Sequence, residues 1–218
     1  MGLPAKFVRS QRDMLRNRIA ALLTPRLLPG QTLRVTFQSQ EDAPLQWLSI
    51  QSNGSPHTQR DLDNEAPGVI EIGHYTIDFA LSDRGAMREF AAVPCAGMHL
   101  VYDGMSSALA QVKLPTSLDV LEAAVPSGGI QHSGDRVDVS HLLRQAKAGF
   151  EAVVVDEANR VFGRKAAVLD GIIVGGGRAE LLLDGLKQRY PNAVSSDKLR
   201  MIVAEGFCRL RLLSLLQS

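Results

Sequence analysis

The segment Val168–Val174, VLDGIIV, is almost wholly apolar and runs into Gly175-Gly176-Gly177, after which a helical pattern follows from Ala179 to Tyr190. An apolar run of this length, bounded by turn residues, reads as a strand covered on both faces. Such a strand belongs to a layered α/β domain with helices on both sides of its sheet. The rest of the pattern agrees. Gly68–Ile72 and Thr76–Leu81 read as a hairpin and Met87–Val93 as a third strand; helices are predicted over Gly97–Lys113, Thr116–Ala124, Val139–Arg160 and Asp197–Leu216. Along the long helix, Leu142, Leu143, Ala146, Phe150, Val153 and Val154 share an apolar face. The glycine-rich stretch 126–138 is a small insertion that ends in a hairpin. Strands come first and then alternate with helices, so the predicted sheet is mixed.

The N-terminal part reads differently. From Arg9 to Leu28 the apolar residues Leu15, Ile19, Leu22 and Leu23 follow helical spacing, with Ser10 as N-cap and Pro29-Gly30 as a stop. Thr32–Phe37 alternates as TLRVTF, the pattern of a half-buried strand. The polar, turn-rich residues 52–67 that follow contain the best linker candidate.

Six basic side chains (Lys6, Arg9, Arg12, Arg16, Arg18, Arg26) stand against Asp13 alone in the first thirty residues, although the whole chain is only +1. Two readings stay open for residues 6–26: a solvated helix face, or a surface for nucleic acid or an acidic partner. No aromatic residue interleaves with these charges, which weakens the single-strand-binding version. At 45% hydrophobic and 22% charged residues, disorder and coiled coil are excluded. No run is long enough for a membrane span and no secretory signal is present. Cys95 and Cys208 lack metal-ligand or disulfide-scaffold spacing and read as small core residues, which fits a cytoplasmic protein.

Two loops carry chemistry. In Glu71-Ile72-Gly73-His74-Tyr75-Thr76-Ile77-Asp78 a strand enters a glycine turn, then a hydroxyl residue, then an acid on the return strand. Such a turn offers backbone N–H groups and a hydroxyl to an anion, while the acid can hold a hydrated Mg²⁺ or orient a water; it is equally a hairpin with a polar tip. Gly175-Gly176-Gly177-Arg178 opens the helix after the apolar strand, where a ligand can approach the backbone. A dinucleotide fingerprint fails there because Glu180 replaces the third glycine, and no Gly-x-x-x-x-Gly-Lys phosphate loop occurs. His57, His99, His132 and His141 form no ligand spacing with His74 or one another. The last helix, rich in leucine beside Arg209 and Arg211, reads as docking on the core rather than on a membrane surface.

Taken together, IGHYTIDFA, AGMHLVYDGM, LDGIIVGGGRAELLLDGLKQRYPNAV and MIVAEGF resemble the second half of the actin-like ATPase superfamily, most closely bacterial plasmid-segregation proteins of the ParM/StbA type. Gly2-Leu3-Pro4 is similar to a turn such proteins carry before a helix of their first domain. The resemblance implies an actin-like, ribonuclease-H-like α/β fold with a mixed sheet and helices on both faces. It implies a remnant of the first domain over 1–60, a linker over 61–67, a second domain over 68–206 and a C-terminal helix end over 207–218. It implies ATP and Mg as ligands, with Gly73, His74, Tyr75 and Thr76 at the phosphates, Asp78 catalytic and facing the metal indirectly, and Gly175, Gly176, Gly177 and Arg178 at the nucleoside. Filament formation and a DNA-bound adaptor protein are the implied partnerships. Glu71 stands where Asp is common, His74-Tyr75 replaces a smaller Gly-Thr pair, and the first phosphate loop of the family, Asp-x-Gly, has no counterpart. The chain therefore reads as the last two-thirds of such a protein, catalytically incomplete by itself. The alternatives are a non-enzymatic, degenerate or split actin-like interaction module and, more weakly, a sugar kinase or exopolyphosphatase on the same fold, disfavoured by the short insertion.

Overall fold

The computed structural model describes residues 2–217 apart from Pro4 and Arg178. In chain order it contains β1 (Gly2–Leu3), α1 (Ala5–Leu23), β2 (Gln38–Ser39), α2 (Ala43–Ser49), β3 (Pro67–Ile72), β4 (Thr76–Asp83), β5 (Ala86–Pro94), α3 (His99–Gln111), α4 (Leu118–Ser127), β6 (Gly129–His132), β7 (Asp135–Asp138), α5 (Ser140–Phe162), β8 (Gly171–Gly176), α6 (Leu183–Arg189), β9 (Ala193–Val194) and α7 (Ile202–Leu216).

The central sheet has the strand order β5-β4-β3-β8-β9. The first three strands form an antiparallel meander, and β8 runs parallel to β3 with β9 parallel to β8. This is the mixed α/β sheet that the sequence predicts. Alternation along the strands sends Ile70, Ile72, Ile77, Phe79, Ile172 and Val174 into the larger core, shared with Val101, Met105, Phe150 and Phe162 of α3 and α5. The opposite face sends Val69, Ala80 and Ile173 against Leu45 and Leu48 of α2 and Ile202 of α7. Covering both faces is why β3 and β8 are apolar almost throughout. Each fully buried side chain of this kind contributes about 1.5–3 kcal/mol.

The α2–α7 contact depends on one glycine. A Cβ at Gly206 would collide with the backbone of Ala43, so the two helices touch main chain to main chain. Arg209 then reaches across, its Nη1 donating to the carbonyls of Trp47 (2.6 Å) and Ile50 (2.9 Å) at the end of α2. The turn-rich stretch before β3 is tied to the sheet: Asp170 Oδ2 accepts from the Ala66 N–H (2.7 Å), and Arg60 donates to the Asp170 carbonyl (3.2 Å). The small insertion is a hairpin, β6–β7, and Asp138 at its end accepts the Ser140 N–H (2.8 Å), which holds its carboxyl below the usual carboxylate range and starts α5.

Several sequence expectations are corrected. The N-terminal helix begins at Ala5, so Ser10 is inside it rather than its cap. Its apolar stripe is not core: Leu15 and Ile19 are only half-buried and Leu22 is 65% exposed. Thr32–Phe37 joins no ladder, although Leu33, Val35 and Phe37 are more covered than their neighbours; an alternating pattern makes a strand only where a partner edge exists. The apolar strand starts at Gly171, because Gly163–Val168 coils into a 3₁₀ turn that leaves Val168 75% exposed. Cys95 and Cys208 are both exposed free thiols rather than core residues, Cys95 sitting at φ 58° in the turn after β5. The Gly2-Leu3-Pro4 reading falls partly on Pro4, outside the described residues.

Candidate functional site

The β3–β4 hairpin closes with the Gly73 N–H donating to the Thr76 carbonyl (2.9 Å), and the Thr76 hydroxyl donates to Asp78 Oδ2 (3.1 Å). Its tip is docked on the start of α3. The Met98 N–H donates to the Gly73 carbonyl (3.0 Å), and the His99 N–H donates to the His74 carbonyl (2.9 Å), which also lies 3.0 Å from His99 Nδ1. Since a carbonyl can only accept, that nitrogen of His99 carries its proton. Only glycine fits at 97, where a Cβ would strike the His74 carbonyl. His74 sits edge-on to Tyr75 (ring centroids 4.4 Å apart) and 5.9 Å from Tyr102, while Tyr75 lies 5.3 Å from His99.

The glycine run divides. Gly175 and Gly176 are still in β8, paired with Glu71 and Ile72, and both are buried. Gly177 alone occupies the turn. The expectation that all three glycines open the next helix is therefore corrected, and the reason is packing: a Cβ at Gly175 would press on Ile202, and Gly176, at φ 117°, lies against the backbone of Ile72. Because β3 and β8 are adjacent and parallel, the hairpin tip and the glycine turn emerge at the same end of the sheet.

Between them lies a cavity of about 260 Å³ lined by Ile72, Gly73, His74, Met98, Tyr102, Gly177 and Arg200. Of the sequence-designated residues it gathers Gly73, His74 and Gly177. Tyr75 is 66% exposed at the tip, and Thr76, Asp78, Gly175 and Gly176 do not line it. Arg178 lies outside the described residues. Asp78 instead sits opposite Glu71, which in turn sits opposite Gly175, one row across three strands. Residues in such a row share a face, so both carboxylates project on the side where Gly175 meets α7. Arg200 and Tyr102 carried no signal in the sequence. Arg200 brings a cation to the cavity from the 3₁₀ turn before α7, 3.8 Å from Glu180, and Tyr102 arrives one helical turn after His99.

Residues 69–188, more than half of the chain, match the family described as archaeal actin homologue MreB-like, C-terminal. Among curated proteins none matches the chain in sequence. Solved structures are similar in fold. A non-polymerisable quadruple mutant of pCBH ParM superposes with a TM-score of 0.74 at 17% identity, covering 98% of this chain and 67% of that one. ParM in a 15-stranded filament from Clostridium botulinum gives 0.73 at 17% identity, covering 98% and 65%. An archaeal actin homologue in complex with ADP gives 0.73 at 14% identity, covering 100% and 71%. The chain thus spans about two-thirds of the length of these proteins.

Proposed function

The chain belongs to the family of archaeal MreB-like actin homologues, through that family's C-terminal region, and on that premise we propose that it is a nucleotide-binding, self-associating protein of the DNA-segregation kind whose nucleotide site is incomplete in this chain. The observation that carries the reading is the shared cavity of the β3–β4 tip and Gly177 at one end of adjacent parallel strands. In an open α/β sheet that end is where ligands are held.

In this reading the turn Gly73–Thr76 holds phosphate through its backbone, with Arg200 as the nearby cation, and Gly177 flanks the nucleoside. The donor set also suits Mg²⁺. Glu71 and Asp78 are carboxylates in direct cross-strand register, an arrangement that a hard cation with oxygen ligands would stabilise. The ion, when bound, would neutralise phosphate charge; Asp78, oriented by the Thr76 hydroxyl, would position it through water. The cavity of about 260 Å³ is at the small end for a ligand pocket, and it takes one end of a nucleotide rather than the whole. An actin-like site draws groups from two domains, and phosphoryl transfer needs charge stabilisation from several sides. The residues of this chain supply one side of such a site, and by themselves they bind Mg-ATP weakly and do not turn it over. Self-association is proposed to run through residues 1–50, where α1 leaves apolar surface uncovered. A DNA-bound adaptor is the further partner of such a protein.

The bulky His74-Tyr75 tip favours a second reading, an interaction module that has lost the nucleotide altogether. Backbone amide NMR with Mg-ADP and Mg-ATP separates them: saturable shifts at Gly73 and Gly177, removed by Arg200→Glu, are expected, and no shift at either would leave only the interaction module. Phosphate release by the chain is expected to equal that of Asp78→Ala. Turnover lost in that variant would overturn the incomplete site.

A further inference from the structure

At the end of the sheet away from the β3–β4 tip, ahead of β8 and β9 and beyond the last turns of α5 and α6, lies a cavity of about 470 Å³. Ala166, Leu169 and Pro191 give it an apolar wall; Asn159, Arg164 and Arg189 line it too, and no carboxylate does. Its volume is in the range of ligand pockets. The six residues of β8 put it on the order of 20 Å from Gly177, so it is separate from the candidate nucleotide site.

The donors of this cavity are fixed in place and unspent. The Tyr190 hydroxyl donates to Asn159 Oδ1 (3.1 Å), which leaves the Asn159 NH₂ group to donate, and it has no partner among the described residues. Burial pushes the Tyr190 hydroxyl up from its ordinary value, so it stays a donor at neutral pH. The Asn192 side chain donates to the Leu169 carbonyl (2.8 Å) and fastens the apolar wall to the turn before β9. Arg189 lies 5.6 Å from the Tyr190 ring centroid. Among the described residues neither Arg164 nor Arg189 is in an ion pair or donates a hydrogen bond.

Cations beside a helix C-terminus have an internal use, to offset the helix dipole, and α5 and α6 both end here. That use does not account for both guanidiniums. Each helix end carries about half a unit of negative charge. The Asn159 and Leu186 carbonyls are already met by the Gly163 and Tyr190 N–H groups, and Arg160 and Lys187 stand in the same last turns. Of the surrounding acids, Glu157 is bound to Arg160 (2.6 Å) and Asp170 to the Ala66 N–H, Asp184 is in the first turn of α6, and Asp156 acts on Tyr190 from α5. The segment that carries Arg164 has room to adjust: no side chain of Gly163–Val168 is buried, and it leaves α5 through Gly163 at φ 55°.

We infer that this cavity binds a small organic oxyanion, a carboxylate or a phosphate monoester, with its charged group between Arg164 and Arg189 and its apolar body on Ala166, Leu169 and Pro191. The planar fork of a guanidinium matches either group with two parallel hydrogen bonds. The Asn159 NH₂ group supplies a neutral donor beside them.

The test is a titration of the full chain, followed by backbone amide NMR at constant ionic strength, with benzoate, phenyl phosphate and the neutral benzyl alcohol. Saturable shifts at Gly163, Tyr190 and Asn192 are expected with at least one of the two anions and not with the alcohol. The anion that binds more tightly tells whether the site takes carboxylate or phosphate. Arg164→Gln and Arg189→Gln, both at exposed positions, are each expected to weaken that binding about tenfold or more. Shifts that benzyl alcohol reproduces, or that survive unchanged when both arginines are replaced, would overturn the proposal, as would the lack of saturable shifts with either anion. The nucleotide reading is read at Gly73 and Gly177 and stands or falls separately.

Discussion

In the body made of α2 and the residues from Pro67 onward, main chain rests on main chain: Gly176 lies against Ile72, Gly97 against His74, and Gly206 against Ala43. In α1, by contrast, no described side chain is buried, and the strand before it forms a two-residue parallel ladder between Gly2–Leu3 and Gln38–Ser39. Both regions have good helical or strand patterns. The difference lies in burial, since helices of this length are marginal unless an apolar face is packed. A pattern specifies what an element could bury, and whether it does so depends on which partner is present.

Gly176→Ala should produce the largest effect. The residue combines φ 117° with a position where a Cβ would overlap the Ile72 backbone, so strain and collision act together and no flexible side chain can give way. We expect a loss of about 3–5 kcal/mol, seen as a midpoint shift in chemical denaturation. A loss below about 0.5 kcal/mol would mean that β3 and β8 are less tightly matched in solution, and the contrast with α1 would weaken.

Arg209→Ala comes next and probes the second face of the sheet. Its guanidinium donates to the Trp47 and Ile50 carbonyls, lies 5.3 Å from the Trp47 ring centroid and sits 3.8 Å from Glu205. Removing it leaves two carbonyls at the end of α2 without their donor, for an expected loss of about 2–3 kcal/mol. Trp47 is the single tryptophan, so its fluorescence should report the loosening of α2 from α7 directly. Arg209→Met keeps the apolar stem, and a loss as large as that of the alanine variant would assign the effect to the hydrogen bonds.

Legibility follows the same division. The hairpin, the three-strand meander and the buried parallel strand were readable because period and turn residues agreed with the partners those strands find. Thr32–Phe37 and the α1 stripe carry equally clear periodicity, yet the first joins no ladder and, among the described residues, the second buries no side chain. Gly175 and Gly176 read as ligand-facing because a glycine run at a strand end marks either a phosphate approach or tight packing, and residue type alone does not distinguish them. Arg200 was out of reach for another reason: its place beside Gly177 is set by how α7 lies across the end of β8, a contact between segments with no shared local pattern. Cys95 and Cys208 read as core because small apolar-flanked cysteines usually are, whereas turn geometry and a solvent-facing helix side decided otherwise.

Leu22→Ala should have the smallest effect, and it bears most directly on the contrast. Truncating a packed leucine costs about 2–5 kcal/mol, but Leu22 is 65% exposed and has no core to leave. At the lowest protein concentration that thermal unfolding by circular dichroism allows, the midpoint should stay within the range of an ordinary surface change, about 0.5 kcal/mol. Raising the concentration should separate the variant from the parent, because stabilisation by a partner that binds only the folded chain grows with the partner's concentration. A loss above about 1 kcal/mol that does not vary with concentration would mean that α1 is packed within its own chain, and the line drawn between the two regions would disappear.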